Sequence, residues 1–165
     1  MQCGAQSGEG MKELGDLVAS EAILPRLLVT SRRQALQLMT EALEFATGVS
    51  ARAAFDAVLL RERLAGTGVG DGVAIPHALI PGLKRPVGVF ARLEPAQDFD
   101  ALDGRPADLI FMLLAPAECG GDHLKALARV SRFFRSAEMR DKLRAARGGD
   151  ELYALIAGIV HSDAA

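Results

Sequence analysis

Three histidines stand in settings that differ, at positions 77, 123 and 161. His77 closes a glycine-rich stretch, G-V-G-D-G-V-A-I-P-H, in which Pro76 stiffens the chain immediately ahead of the imidazole. His123 follows C-G-G-D at the start of a helical pattern, where backbone dipoles favour an anion and disfavour a charged ring. His161 is expected to do nothing. The glycine stretch is not a nucleotide loop: no Lys follows any of its glycines, as a P-loop requires, and the fingerprint G-x-G-x-x-G fails at Val73. Gly68, Gly70 and Gly72 still permit unusual φ values and close backbone approach, so their N–H groups are expected to converge on an anion. A metal site would need His77 and His123 with Asp71 or Asp122, without the helical spacing such sites use, and no metal is expected. G-x-S-x-G is absent, which removes the serine-hydrolase option. Nucleophilic histidine chemistry remains, in which a neutral imidazole nitrogen attacks phosphorus and forms a phosphohistidine. Arg61 is the natural cation for the phosphoryl oxygens because it lies on the helix leading into the glycines. Taken alone it reads as a solvated helix arginine.

These residues need a frame. Ser31 is a hydroxyl cap ahead of Ala35, Leu36, Met39, Ala42 and Leu43 at helical spacing, and Gly48 ends the run. Ser50 opens a second helix carrying Ala54, Val58 and Arg61. Residues 65–76 are too glycine-rich for a helix and too short for a long strand. Strands are predicted over 87–93 and over 109–114, the latter apolar throughout, as a strand covered on both faces would be. A loop is expected from 94 to 108. Helical patterns return at 122–134, 137–146 and 150–160. This alternation predicts a layered α/β domain, with the 109–114 run as the rigid floor beneath the site.

The chain has 165 residues, one domain's worth, and its 19 Lys and Arg against 21 Asp and Glu leave a net charge of −2. That balance gives no electrostatic footprint for nucleic acid, and seven Phe, one Tyr and no Trp offer little base-stacking surface. Cys3 and Cys119 match neither a disulfide framework nor a cysteine metal site. No apolar run reaches the length of a membrane span, and no signal-peptide pattern opens the chain, so a cytoplasmic protein is expected. Residues 125–147 hold eight basic residues against Glu138 and Asp141. Such a surplus is the solvated face of two helices or a docking face for an acidic partner.

The segment 61–77, R-E-R-L-A-G-T-G-V-G-D-G-V-A-I-P-H, resembles the active-site segment of the fructose/mannitol-type enzyme IIA domains of the bacterial phosphoenolpyruvate-dependent phosphotransferase system. The likeness continues through V-G-V-F-A-R-L, F-D-A-L-D-G-R-P-A-D-L-I-F-M-L-L-A-P, D-H-L-K-A-L-A-R-V, L-R-A-A-R and E-L-Y-A-L-I. It spans nearly everything after residue 12, giving a domain over 12–162 behind a flexible lead at 1–11. Within the family the chain is most similar to the nitrogen-regulatory branch, a stand-alone phosphocarrier.

The resemblance implies a single α/β domain, a mixed β-sheet with helices packed on both faces. It implies that His77 accepts the phosphoryl group, that His123 lies beside it and that Arg61 pairs with phosphate. Thr67, Gly68 and Gly70 would then line the phosphate, Thr67 either donating to a phosphoryl oxygen or shaping the turn. No cofactor is implied. The donor would be an HPr-like phosphocarrier charged by enzyme I. Regulatory clients such as a potassium transporter or a sensor kinase are expected, with the basic helices as one docking face. The same chemistry would also serve a sugar-specific enzyme IIA passing phosphate to a fructose- or mannitol-type enzyme IIB. A binding module whose His77 is never phosphorylated is the third reading. One departure stands out: the family commonly has Gly-Ser or Gly-Thr before the Thr-Gly pair, where this chain has Ala65 and Gly66.

Overall fold

Ser31 and Ser50 begin the first two helices in a computed structural model of the chain, which describes residues 13–118 and 120–159. The expected lead at 1–11 and His161 lie outside the described residues. The Ser31 hydroxyl accepts from the Gln34 N–H at 3.0 Å, and α1 runs Arg32–Thr47 until Gly48 turns left-handed at φ 79. The Ser50 hydroxyl accepts from the Ala53 N–H at 3.3 Å, and α2 runs Ala51–Leu64. Three further helices follow the sheet: α3 Gly120–Phe134, α4 Ala137–Ala145 and α5 Gly149–Ala157. All five lie within two or three residues of the helices that periodicity predicts.

The sheet has six strands: β1 Val18–Leu28, β2 Gly68–Gly70, β3 Val73–Ala74, β4 His77–Ile80, β5 Val87–Gln97 and β6 Ala107–Pro116. Its order is β1-β5-β6-β3-β2, with β4 also pairing β6. β1 runs parallel to β5, β5 antiparallel to β6, and both β3 and β4 parallel to β6, so the sheet is mixed. Consecutive residues Leu109 to Leu114 are all fully buried. Because successive side chains of a strand point to opposite faces, both faces of β6 are covered. On one face Phe90 and Phe111, cross-strand partners, meet Phe134 of α3 at ring separations of 6.1 Å. The next cross-strand pair, Val89 and Met112, points to the other face; α1 and α2 pack together, α1 against β5 and α2 against β4.

Sequence reasoning missed β1. Its pairing with β5 slips twice, between Val18 and Ile23 and again between Leu24 and Leu27, so the apolar residues lose the two-residue period that marks a strand. The loop expected over 94–108 is shorter than its composition suggests. β5 extends to Gln97 and β6 starts at Ala107, and those two residues pair. The backbone ladder continues there after the buried pattern has ended.

Arginines tie the helices to the sheet. Arg92 of β5 donates to the carbonyl oxygens of Leu143, Arg144 and Ala146, which the C-terminus of α4 leaves without helical partners, and to that of Pro25. Of the eight basic residues over 125–147, four stand in ion pairs within the chain: Arg129 with Asp16, Arg140 with Asp71, Lys142 with Glu138 and Arg144 with Asp108. Much of the basic surplus is therefore neutralised by the fold itself.

Candidate active site

The last turn of α2 carries Arg61 and Glu62 side by side in sequence and sends them to different places. The Arg61 guanidinium reaches back over the helix end, where Nη1 donates to the Ala65 carbonyl at 2.8 Å. Glu62 points into the core and is only 3 % exposed. Both its carboxylate oxygens accept from the Thr67 hydroxyl, and Oε1 also accepts from the Thr67 N–H at 3.3 Å. Burial pushes the Glu62 carboxyl above its ordinary pKa, against the opposing pull of the Thr67 bonds and of the Arg32 and Arg61 charges.

Beyond Thr67 the glycine stretch folds as a short antiparallel hairpin, β2 against β3. Its turn places Gly70, Asp71 and Gly72 at φ 97, 57 and 77, conformations that glycine adopts without steric cost and aspartate tolerates. The anion cradle expected of these glycines is not what the structure shows. The Gly68 N–H is donated to the Phe99 carbonyl at 2.9 Å. Gly70 lies level with Val73, whose partner on β6 is Leu109, whereas His77 pairs with Leu113. Four residues along a strand separate them by about 13 Å. A Cβ on Gly70 would also stand 3.2 Å from the Asp103 carboxylate, an unwelcoming place for an anion. Thr67 is buried and its hydroxyl donates to Glu62.

Gly66 explains the one departure from the family pattern. A Cβ there would lie 2.4 Å from both the Asp100 Cβ and the Phe99 carbonyl oxygen, the latter part of a backbone that cannot step aside cheaply. Restoring the hydroxyl with Gly66→Ser is therefore expected to destabilise the fold, by about 1–3 kcal/mol as overpacking does. A thermal melt checks this, and an unchanged midpoint would contradict the close packing.

His77 opens β4, which pairs in parallel with β6, so the buried 109–114 run lies beside the His77 strand in the same sheet and not beneath it as the expected floor would. Its Nδ1 lies 2.8 Å from the Ile75 carbonyl oxygen. A carbonyl only accepts, so this bond keeps the proton on Nδ1 and leaves the Nε2 lone pair free. The ring is half-buried, and its pKa is depressed below the usual imidazole value. Burial is the main cause; the Ile75 bond opposes it, while Arg61 and His123 add to the depression. His123 sits in the first turn of α3 with its ring centroid 5.5 Å from that of His77. Its Nδ1 is buried and finds no hydrogen-bond partner among the described residues. An acceptor lone pair is the cheaper group to leave there, so the proton belongs on Nε2. Burial, and then Arg61, depress the His123 pKa as well.

The structure thus brings His77, His123 and Arg61 into one electrostatic cluster: two neutral imidazoles in the field of one fixed cation. Thr67 is linked to it through its hydrogen bonds with Glu62 and Ile75, and Gly70 stands about four residues along the sheet from His77. Among the described residues no group of three or more His, Cys, Asp and Glu could hold a metal ion. Exposed apolar side chains flank the cluster in sequence, Leu60 and Leu64 beside Arg61, Val69 on the hairpin, Leu79 on the His77 face of β4 and Leu124 beside His123. Glu62 is the participant that sequence reasoning overlooked. The signal available was a carboxylate on the core face of an otherwise apolar helix stripe.

A family model described as "Phosphoenolpyruvate-dependent sugar phosphotransferase system, EIIA 2" matches residues 16–158. A nitrogen regulatory protein from Bradyrhizobium diazoefficiens is 50 % identical over 142 residues, which cover 86 % of this chain and 93 % of that one. A fructose-specific EIIA component from Haloferax volcanii is 44 % identical over 108 residues, 66 % of this chain and 70 % of that protein. Among solved structures, the nitrogen regulatory protein IIA-Ntr of Neisseria meningitidis superposes with a TM-score of 0.80 at 32 % identity, covering 87 % of this chain and 98 % of that one.

Proposed function

The chain belongs to the EIIA 2 family of the phosphoenolpyruvate-dependent sugar phosphotransferase system, and from that premise we propose that it is a cytoplasmic, nitrogen-regulatory histidine phosphocarrier. Its domain takes in residues 12–162. The donor is the phosphohistidine of a small HPr-like protein, and the acceptor is Nε2 of His77. The observation that carries this reading is the His77 ring itself: neutral, held through Nδ1 by the Ile75 carbonyl, beside His123 and within the field of Arg61.

The transfer is an in-line displacement. The Nε2 lone pair of His77 forms the new N–P bond as the donor's N–P bond breaks, and the donor imidazole leaves with that electron pair. The Ile75 carbonyl faces the Nδ1–H, which becomes more acidic once phosphorus is attached to the ring. Roughly two negative charges arrive at the site. Arg61 supplies a permanent counter-charge, and the Nε2–H of His123 donates to a phosphoryl oxygen. The exposed Leu79 and Leu124, close in sequence to His77 and His123, give a carrier protein apolar surface to rest on while the two imidazoles meet.

Intact-protein mass after incubation with phosphoenolpyruvate, enzyme I and an HPr-type carrier tests the reading. One acid-labile phosphoryl adduct is expected, and a folded protein that acquires none overturns it. A sugar-specific role is favoured by the fructose-specific relative. Onward transfer to a fructose-type enzyme IIB in the same mixture would establish that role instead.

The depressed pKa of His77 has a sign that can be checked. As pH falls through the ordinary imidazole value of about 6.5, the unfolded chain takes up the proton first. The fold therefore loses stability from there down to the lower value of the folded ring. Nuclear magnetic resonance titration of His77 is expected to give a midpoint below 6.5, so that the nucleophile stays neutral throughout the physiological range. A midpoint at or above that value would remove the electrostatic part of the argument.

A further inference from the structure

We infer that Glu62 is a positioning residue for phosphotransfer, acting through Thr67 and Ile75 to hold the His77 ring and its proton in place. The inference rests on His77 being the phosphoryl acceptor. A carboxyl group in the core is costly, and an apolar side chain would fill the same space more cheaply. Here the group is 3 % exposed and has Thr67 as its hydrogen-bond partner for both oxygens. What it secures is the start of an unbroken chain of bonds. Glu62 accepts from the N–H and hydroxyl of Thr67. The Thr67 carbonyl accepts from the Ile75 N–H at 3.0 Å. The Ile75 carbonyl accepts from the His77 Nδ1–H at 2.8 Å.

Each intermediate residue is gripped at both ends. Thr67 cannot slide along the hairpin, because the next amide, that of Gly68, is bound to the Phe99 carbonyl at 2.9 Å and a Cβ on Gly68 would already touch Ala101. The Ile75 carbonyl cannot swing freely, because Pro76 follows it with a fixed φ and the Pro76 carbonyl is bound by the Leu113 N–H at 2.9 Å. Movement at Glu62 is thus passed to the carbonyl that selects which His77 nitrogen carries the proton. Glu62 also neighbours Arg61 on the same helical turn. The residue that anchors the nucleophile is therefore one peptide away from the cation that faces its phosphate, and the two are set in one register.

The test compares two disabling variants, Glu62→Leu and Thr67→Val, with two conservative ones, Glu62→Gln and Thr67→Ser. Glutamine keeps an acceptor for the Thr67 N–H, and serine keeps the hydroxyl. The first reading is the ¹⁵N spectrum of the His77 ring, which needs no phosphate donor. The parent is expected to show a protonated Nδ1 and a bare Nε2, the disabling variants a mixture of tautomers, and the conservative variants the parent pattern. The second reading is the rate of phosphorylation by the phosphorylated carrier. A fall of about tenfold to a hundredfold is expected in kcat for the disabling variants, the size of effect that slight misplacement of a reacting group produces, with KM for the carrier unchanged.

Folded disabling variants with the parent tautomer and rate overturn the proposal, as does a loss confined to KM. If one disabling variant does not fold, the other decides by the same pair of readings. Should the parent itself take no phosphoryl group, the proposed function fails while the tautomer reading still decides whether Glu62 governs the ring.

Discussion

The His77→Ala protein is expected to acquire no phosphoryl group under conditions that charge the parent fully. Loss of the attacking atom should lower the rate on the order of 10⁴-fold or more, since the rest of a site does not replace its nucleophile. His123 is a poor substitute despite its ring lying only 5.5 Å away. Its Nδ1 is buried against the protein, which leaves the proton on the nitrogen that faces outward. The fold should survive, because His77 is half-buried on the strand and its one hydrogen bond is to a neighbouring carbonyl. Intact mass and a thermal melt on the same sample check both halves of the expectation. A variant that is still singly phosphorylated would move the acceptor elsewhere and undo the mechanism proposed above.

Arg61→Ala is expected to slow phosphorylation by about 10²–10³-fold, the usual cost of removing a fixed donor from developing charge. Its structural duty is a single hydrogen bond from the guanidinium to the Ala65 carbonyl at the helix end, worth about 1 kcal/mol at most. Rate and stability should therefore separate: phosphotransfer collapses while the melting temperature hardly moves. An independent reading accompanies the kinetics. Arg61 contributes to the depressed pKa of both His77 and His123, so its loss should raise the titration midpoints of both rings. Arg61→Lys should restore the charge but not the planar fork that grips two phosphoryl oxygens. Equal rates in the parent and Arg61→Ala would sink the role.

Local signals served the helices well, whereas the expectation that His123 lies beside His77 comes from the family resemblance. Ser31, Ser50 and Gly48 mark their helix ends because capping needs only a side chain and the backbone three or four residues away. The unbroken apolar run from 109 to 114 announced a strand covered on both faces, but it flanks the His77 strand within the sheet and does not lie beneath the site as a floor. What stayed hidden depends on distant partners. β1 was illegible because its two irregularities erase the alternation on which strand prediction relies. The glycines suggested free amides, yet Gly68 is glycine because Ala101 leaves no space for a side chain, and its amide is already committed to Phe99. The absence of a hydroxyl at position 66 stood out only as a departure from the family pattern, and it matches the close approach of Asp100 and Phe99. Glu62 reads as an ordinary charge on a helix until the burial of its side chain is known. In each case one residue's role is set by another about thirty to seventy positions away, or by the burial that tertiary packing imposes.

The two ends of the sheet bear on how this protein meets others. Among the described residues, β1 closes one end of the strand order and β2 the other, with β4 beside β6 off that order. An exposed edge is a template on which a foreign strand can grow, and a run of eleven residues such as β1 would be a long one. Pro25 interrupts it with a missing N–H, and the two slips in pairing spoil the even spacing an incoming strand would need. β2 is only three residues long. Both ends are blunted against sheet extension, which guards against fibril-like stacking in a chain whose small net charge gives little colloidal repulsion. Strand addition has little foothold at β1 or β2, so a visiting protein meets side chains at those two edges.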